Sequence, residues 1–185
     1  MRLHKSTSVM AVHSYHVLPD KACDFLIELY DSNPSQHERI ENDFKPTFTQ
    51  LNLNRYHGKI VPELCSYFNK SLDLYKLRVK QAQYLPKVEL LEEFRIKKYN
   101  VGGSDRFDEH VDVVDHKTSK RCLAMLFYLN SVPVGGHTRF PEQGDSIRPT
   151  KGYVVVFPPT WEYPHIGEPP VSNPKYIMST YLHYQ

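Results

Sequence analysis

The sequence is poor in the features that mark several large protein classes. It has three cysteines in 185 residues, Cys23, Cys65 and Cys122, with no CxxC pair and one left over in any pairing. That argues against a disulfide framework and for buried thiols in a reducing compartment. Long apolar runs are missing too. The longest, Leu123 to Leu129, falls far short of the about 20 residues that cross a bilayer, and the first eighteen residues lack the apolar core of a secretory signal. The chain is therefore expected to be soluble and cytoplasmic, with no membrane partner. Nor is there an excess of one charge: 23 Lys+Arg stand against 21 Asp+Glu. Without a global field, nucleic acid is not an expected partner. Repeats and low-complexity linkers are absent, and nothing bears on the oligomeric state.

What is there divides near residue 90. Residues 20–31 carry a helical pattern, with Asp20 as N-cap and Ala22, Phe25, Leu26 and Leu29 on one stripe; a second, from Val61 to about Ala82, repeats Val61, Leu64, Phe68, Leu72, Tyr75 and Val79 at spacings of three and four. Between them, Pro46 to Tyr56 alternates as a strand does. Beyond residue 90 come "FRIKKYN", "RCLAMLFYLN", "HTRF", "YVVVF" and "KYIMSTYLHY", punctuated by glycine turns and with no long crossover helix. The expected fold is α+β, mainly β. One domain spans 1–185, with helical support over about 1–90 and an antiparallel sandwich or barrel over about 91–185.

The chemistry gathers at "RFDEHVDVVD", four carboxylates around His110. Ten His and ten Asp in a chain of this length give about one half of a His-x-Asp by chance, so His110-Val-Asp112 alone is weak. In an extended segment, two-residue spacing sets His110 and Asp112 on one face, and Asp108 shares it, so spacing leaves the carboxylate open. A mononuclear Fe(II) site uses two imidazoles and a carboxylate on one face of the metal. His165, between "YVVVF" and the last strand, is the best third ligand, and His137 beside Gly135-Gly136 is the next. His4 and the remaining histidines have no comparable setting. Lys175, at the start of the final strand, is a point charge suited to a dicarboxylate.

In order, "YNVGG", "HVD", "RCLAMLFYLN", "GGHTRF", "PTKGYVVVFPP", "PHIGEPPVSNPKY" and the final strand resemble the prolyl-hydroxylase-like branch of the Fe(II) and 2-oxoglutarate dependent dioxygenases over about residues 94–184. The resemblance implies a double-stranded β-helix (jelly-roll) core. It also implies His110, Asp112 and His165 as metal ligands, which selects Asp112 over Asp108. Lys175 would grip the far carboxylate of 2-oxoglutarate, with Tyr128 and Tyr99 assisting. The cofactors implied are Fe(II), 2-oxoglutarate and O2, with ascorbate as a possible addition, and no catalytic residue is expected beyond the triad. Thr138 fits the pattern but reads as a turn-flanking polar residue.

Alternation in "KYIMSTY" sets Lys175, Ile177, Ser179 and Tyr181 on one face, so Tyr181 is a candidate pocket wall; Trp161, four residues before His165, is a candidate for the mouth. The Gly102-Gly103 turn and the segment from Asp112 to Arg121 are candidates for a lid. By resemblance, the expected activity is hydroxylation of a C–H bond of a peptidyl proline in a peptide or protein substrate, with release of succinate and CO2. The alternatives are another protein side chain, a small metabolite or a nucleobase, or a non-catalytic metal-binding jelly roll with no need of Lys175.

Overall fold

A computed structural model describes residues 11–41 and 46–185; His4 lies outside them. In chain order the elements are β1 (His13–His16), α1 (Asp20–Asp31), β2 (Glu38–Glu41), β3 (Thr47–Asn52), α2 (Leu53–Tyr56), α3 (Val61–Arg78), β4 (Arg95–Tyr99), β5 (Phe107–His110), β6 (Arg121–Tyr128), β7 (Thr138–Phe140), β8 (Asp145–Ile147), β9 (Tyr153–Phe157), β10 (His165–Gly167) and β11 (Lys175–His183). The strands form two antiparallel sheets. The larger runs β1, β9, β6, β11, β4, β3, β2, and the smaller runs β5, β10, β7, β8.

Two cores follow from strand alternation. Tyr176, Met178 and Leu182 of β11 turn to one face of the larger sheet, where Leu64, Phe68, Leu72 and Tyr75 of α3 pack on them and on Val154 and Val156 of β9. Ile177 and Tyr181 turn to the other face, into the space between the sheets, with Tyr128, Phe140 and Phe157. The expected jelly roll with a helical layer is what is observed.

Local departures have local causes. Asp20 is the first residue of α1 rather than its cap, which is Pro19, and there it still favours the positive helix end. The buried stripe of α1 is Cys23, Leu26 and Tyr30, leaving Phe25 50% exposed. Tyr30 sets this rotation by packing edge-on against Tyr176 and stacking on His37. The second helix stops at Arg78 because Val79 is extended, and a 3-10 turn follows over Lys80–Tyr84. The strand expected to reach Tyr56 ends at Asn52, whose side chain accepts from Arg55 N and starts α2. The first 90 residues are also more than a helical support, since β1, β2 and β3 extend the larger sheet. "HSYH" and "ERIE" are too short and polar to stand out, as edge strands commonly are.

Candidate active site

The smaller sheet brings together residues far apart in sequence. His110 ends β5 and His165 begins β10, and the antiparallel register pairs them directly, with ring centroids 4.2 Å apart. Asp112 lies just past β5, its N–H donating to Pro159 O at 3.1 Å and its carbonyl accepting from Arg121 Nη1 at 2.9 Å. Its Oδ1 stands 3.7 Å from His110 Nε2 and its Oδ2 3.5 Å from His165 Nε2. One ligand atom from each residue lies within 4.8 Å of the others.

Both rings are turned by the backbone. His110 Nδ1 is 2.7 Å from Asp108 O and His165 Nδ1 is 3.1 Å from Tyr163 O, so each Nδ1 carries the proton and each Nε2 offers a lone pair to the site. Phe107 stacks flat on His110. Burial draws His165 down to about 4 against the attraction of Asp112, so the imidazole is neutral at pH 7. Burial opposes the charge of Asp112, yet its carboxyl stays below the usual carboxylate range, with Lys97 across the cleft favouring the ionised form. Asp112 Oδ2 is buried with no hydrogen-bond partner among the described residues. An orphaned anionic oxygen facing two imidazole lone pairs fits a divalent cation, which would satisfy all three.

Asp108, left open by spacing, contributes its carbonyl to His110 while its carboxylate pairs with Arg106 at 2.7 Å on the exposed side. His137 faces Glu168 at 3.5 Å, away from the cluster. Lys175 lines the same cleft and is 2% exposed, its ammonium donating to Gly136 O at 2.9 Å and lying 4.5 Å from the centre of the Tyr99 ring. Burial pulls that ammonium down to about 7, with Glu168 opposing.

Tyr99 and Tyr181 line the cleft; Tyr128 sits behind it, donating to Thr138 Oγ1 at 2.7 Å. Thr138, expected as a turn-flanking polar residue, does follow the Gly135-Gly136 turn, and it is also buried and lines the cleft itself. Trp161 is 78% exposed and does not line the cleft, because the chain turns it outward before β10 begins. Of the two lid segments, Asp112 to Arg121 folds into a turn pinned by hydrogen bonds between Thr118 and Asp115. Sequence reasoning missed Lys97, which also lines the cleft. Its signal was the alternation of β4, which sets Lys97 on the face of Tyr99.

The chain also resembles known proteins. Residues 94–183 match the 2OG-Fe(II) oxygenase superfamily. Prolyl 4-hydroxylase subunit alpha-1 of Gallus gallus is 32% identical over 110 residues, covering 52% of this chain and 21% of that protein; the Homo sapiens protein is 31% identical over 103 residues, covering 51% and 19%. The chain thus spans about a fifth of the length of these curated relatives. Among solved structures, a viral collagen prolyl hydroxylase from Paramecium Bursaria Chlorella virus-1 superposes with a TM-score of 0.69 at 20% identity, over 92% of this chain and 94% of the other. A Pseudomonas putida prolyl-4-hydroxylase gives 0.70 at 18%, over 94% and 93%. The Trichoplax adhaerens prolyl hydroxylase, solved with a hypoxia inducible factor peptide fragment, gives 0.71 at 15%, over 94% and 83%. These likenesses show a shared double-stranded β-helix, and the superfamily implies Fe(II), 2-oxoglutarate and O2. Residues 94–183 thus match the 2OG-Fe(II) oxygenase superfamily, and the relatives and solved structures they resemble are prolyl hydroxylases.

Proposed function

We propose that the chain hydroxylates prolyl residues in extended peptide segments, with His110, Asp112 and His165 holding Fe(II) and Lys175 gripping the far carboxylate of 2-oxoglutarate. The observation that carries this reading is the approach of two imidazole Nε2 atoms and an unpartnered buried carboxylate oxygen to within 4.8 Å, in the same cleft as a buried lysine. When bound, Fe(II) with 2-oxoglutarate supplies the oxidation of a C–H bond by O2, and 2-oxoglutarate leaves as succinate and CO2.

The chain's own residues bind, orient and exclude water. The Asp108 and Tyr163 carbonyls fix the two imidazoles. Lys175 offers a point charge above the Tyr99 ring, and Tyr128 acts through Thr138 by orienting its hydroxyl. Ile177, Leu126 and Tyr181 give the cleft an apolar wall that suits a pyrrolidine ring. A peptide substrate is supported by the Trichoplax adhaerens relative, solved with a peptide fragment, and by the prolyl 4-hydroxylase relatives. Ascorbate would keep the iron ferrous. Three free thiols, two of them buried, support a cytoplasmic setting.

The test is mass spectrometry of proline-containing peptides incubated with the protein, Fe(II), 2-oxoglutarate and ascorbate. One oxygen gained on proline, and none with Asp112→Ala, is the expected result. Brisk 2-oxoglutarate turnover with a free amino acid or a nucleobase, every peptide unmodified, would overturn the prolyl assignment.

A further inference from the structure

The cationic side chains around the cleft are nearly all spoken for. Arg121 makes two hydrogen bonds of 2.7 Å to Glu92, Arg95 pairs with Glu92 and Glu93, and Lys175 donates to the carbonyls of Gly136 and Glu168. Lys97 differs. Among the described residues its ammonium has no hydrogen-bond or ion-pair partner, and it lies 5.1 Å from the centre of the Phe48 ring. Asp112, the carboxylate across the cleft, faces the two histidines and forms no ion pair with Lys97.

Position separates Lys97 from the Lys175 site. β4 and β11 pair so that Lys175 stands opposite Tyr99 and Ile177 opposite Lys97. The two lysines are therefore one two-residue step apart, about 7 Å along the sheet. Lys175 is sealed beneath Gly136, whereas Lys97 is half-buried in the cleft lining, its ammonium near the Phe48 ring and open to what occupies the cleft. Burial lowers its ammonium to about 8, which leaves it charged at pH 7 in a partly desolvated place where an anion is bound well.

From this geometry we infer that Lys97 is a specificity-determining residue, selecting substrates with a carboxylate beside the target proline. The inference rests on the prolyl reading above. The carboxylate can come from a neighbouring acidic side chain or from a chain terminus, and both present the same group to the ammonium.

The test uses end-blocked peptides with Glu, Gln or Lys next to proline, and a Gln peptide with a free C-terminal carboxylate one residue beyond it. Wild type is expected to use the Glu peptide with kcat/KM about tenfold or more above the Gln peptide. Preference for the free-terminus peptide over its blocked form would name the terminus as the source. Lys97→Arg should keep the preference, Lys97→Met should erase it, and Lys97→Glu should turn it toward the Lys peptide. Equal use of all peptides by wild type, or an unchanged preference in Lys97→Met, would overturn the inference and leave prolyl hydroxylation standing. So would a raised 2-oxoglutarate requirement in Lys97→Met with unaltered peptide selectivity, which would assign Lys97 to the cosubstrate. If wild type oxidises no peptide at all, the prolyl reading falls and this one with it. Should Lys97→Glu fail to fold, the Met and Arg variants decide.

Discussion

At the scale of single residues, the cleft moves the proton equilibria of its groups. Burial draws His165 from 6.5 to about 4, so it stays neutral well below pH 7. Between these values the unfolded chain binds a proton that the folded one does not, so the metal-free protein loses stability as pH falls from about 6.5 to 4. The same neutrality leaves its lone pair ready for a cation. A metal at 100 times its dissociation constant adds about 2.7 kcal/mol, or about 5–10 °C in melting temperature for a chain of this size. Asp112→Ala and His165→Ala should lose that shift in anaerobic melting with Fe(II), and His137→Ala should keep it. A full shift in His165→Ala would move the site elsewhere.

Lys175 has its own pH signature. With its ammonium lowered from 10.5 to about 7, the unfolded chain holds a proton in that window that the folded chain has released. Its burial therefore costs stability fully below pH 7, and the loss is recovered as pH rises toward 10.5. Gripping a carboxylate needs the charged form, so 2-oxoglutarate affinity should weaken as pH climbs above about 7. Lys175→Met should cost about 2–5 kcal/mol of that affinity and abolish its pH dependence. Calorimetric titration across pH 6.5–9, an assay range of about two and a half units, reads both effects.

At the scale of elements, the approach to β11 is fixed by a glycine pair. Gly135 has φ of +74°, and a Cβ there would meet Pro169 O at 2.7 Å and Val171 Cγ2 at 2.8 Å. Val134 O accepts from Val171 N and Ser172 N, which straps the segment before β11 to the turn that offers Gly136 O to Lys175. Gly135→Ala combines a left-handed backbone, about 1–2 kcal/mol, with overpacking of about 1–3 kcal/mol. Gly103, also at positive φ but with open space around it, should cost only the backbone part. Urea midpoints are expected to rank wild type, Gly103→Ala and Gly135→Ala in falling order. Only Gly135→Ala should also weaken 2-oxoglutarate binding, because it shifts the partner of Lys175.

At the scale of the whole molecule, the helical layer and the barrel share one sheet and should unfold together. Phe68 of α3 is fully buried against strands of the barrel. Phe68→Ala is expected to cost about 3–5 kcal/mol, a large part of the about 5–15 kcal/mol that holds a domain together. Phe25→Ala on α1, half-exposed, should cost under about 0.5 kcal/mol. A single lowered transition for Phe68→Ala, seen alike by far-UV circular dichroism and tyrosine fluorescence, is the expected outcome. Two separate transitions would show the layers to be independent.

Much of this was legible in the chain itself because it depends on local order. The 3,4 spacing of Leu64, Phe68, Leu72 and Tyr75 made the buried face of α3 readable, and two-residue alternation sorted β11 into a helix-facing row and an inward row carrying Lys175, Ile177 and Tyr181. The ordered motifs named His110, Asp112 and His165. Short polar edges were not legible: β1 and β2 bury too little to leave a periodic trace, and they become strands only because β9 and β3 offer them open hydrogen-bonding edges. The rotation of α1 waited on Tyr176, 146 residues after its partner Tyr30. Trp161 could be set inside or outside only by the turn before β10. The pairing of His110 with His165, the retreat of Tyr128 behind Thr138, and the unpartnered ammonium of Lys97 were likewise decided by tertiary structure alone. Each depends on which distant group comes within a few ångströms, a quantity that spacing along one segment does not contain.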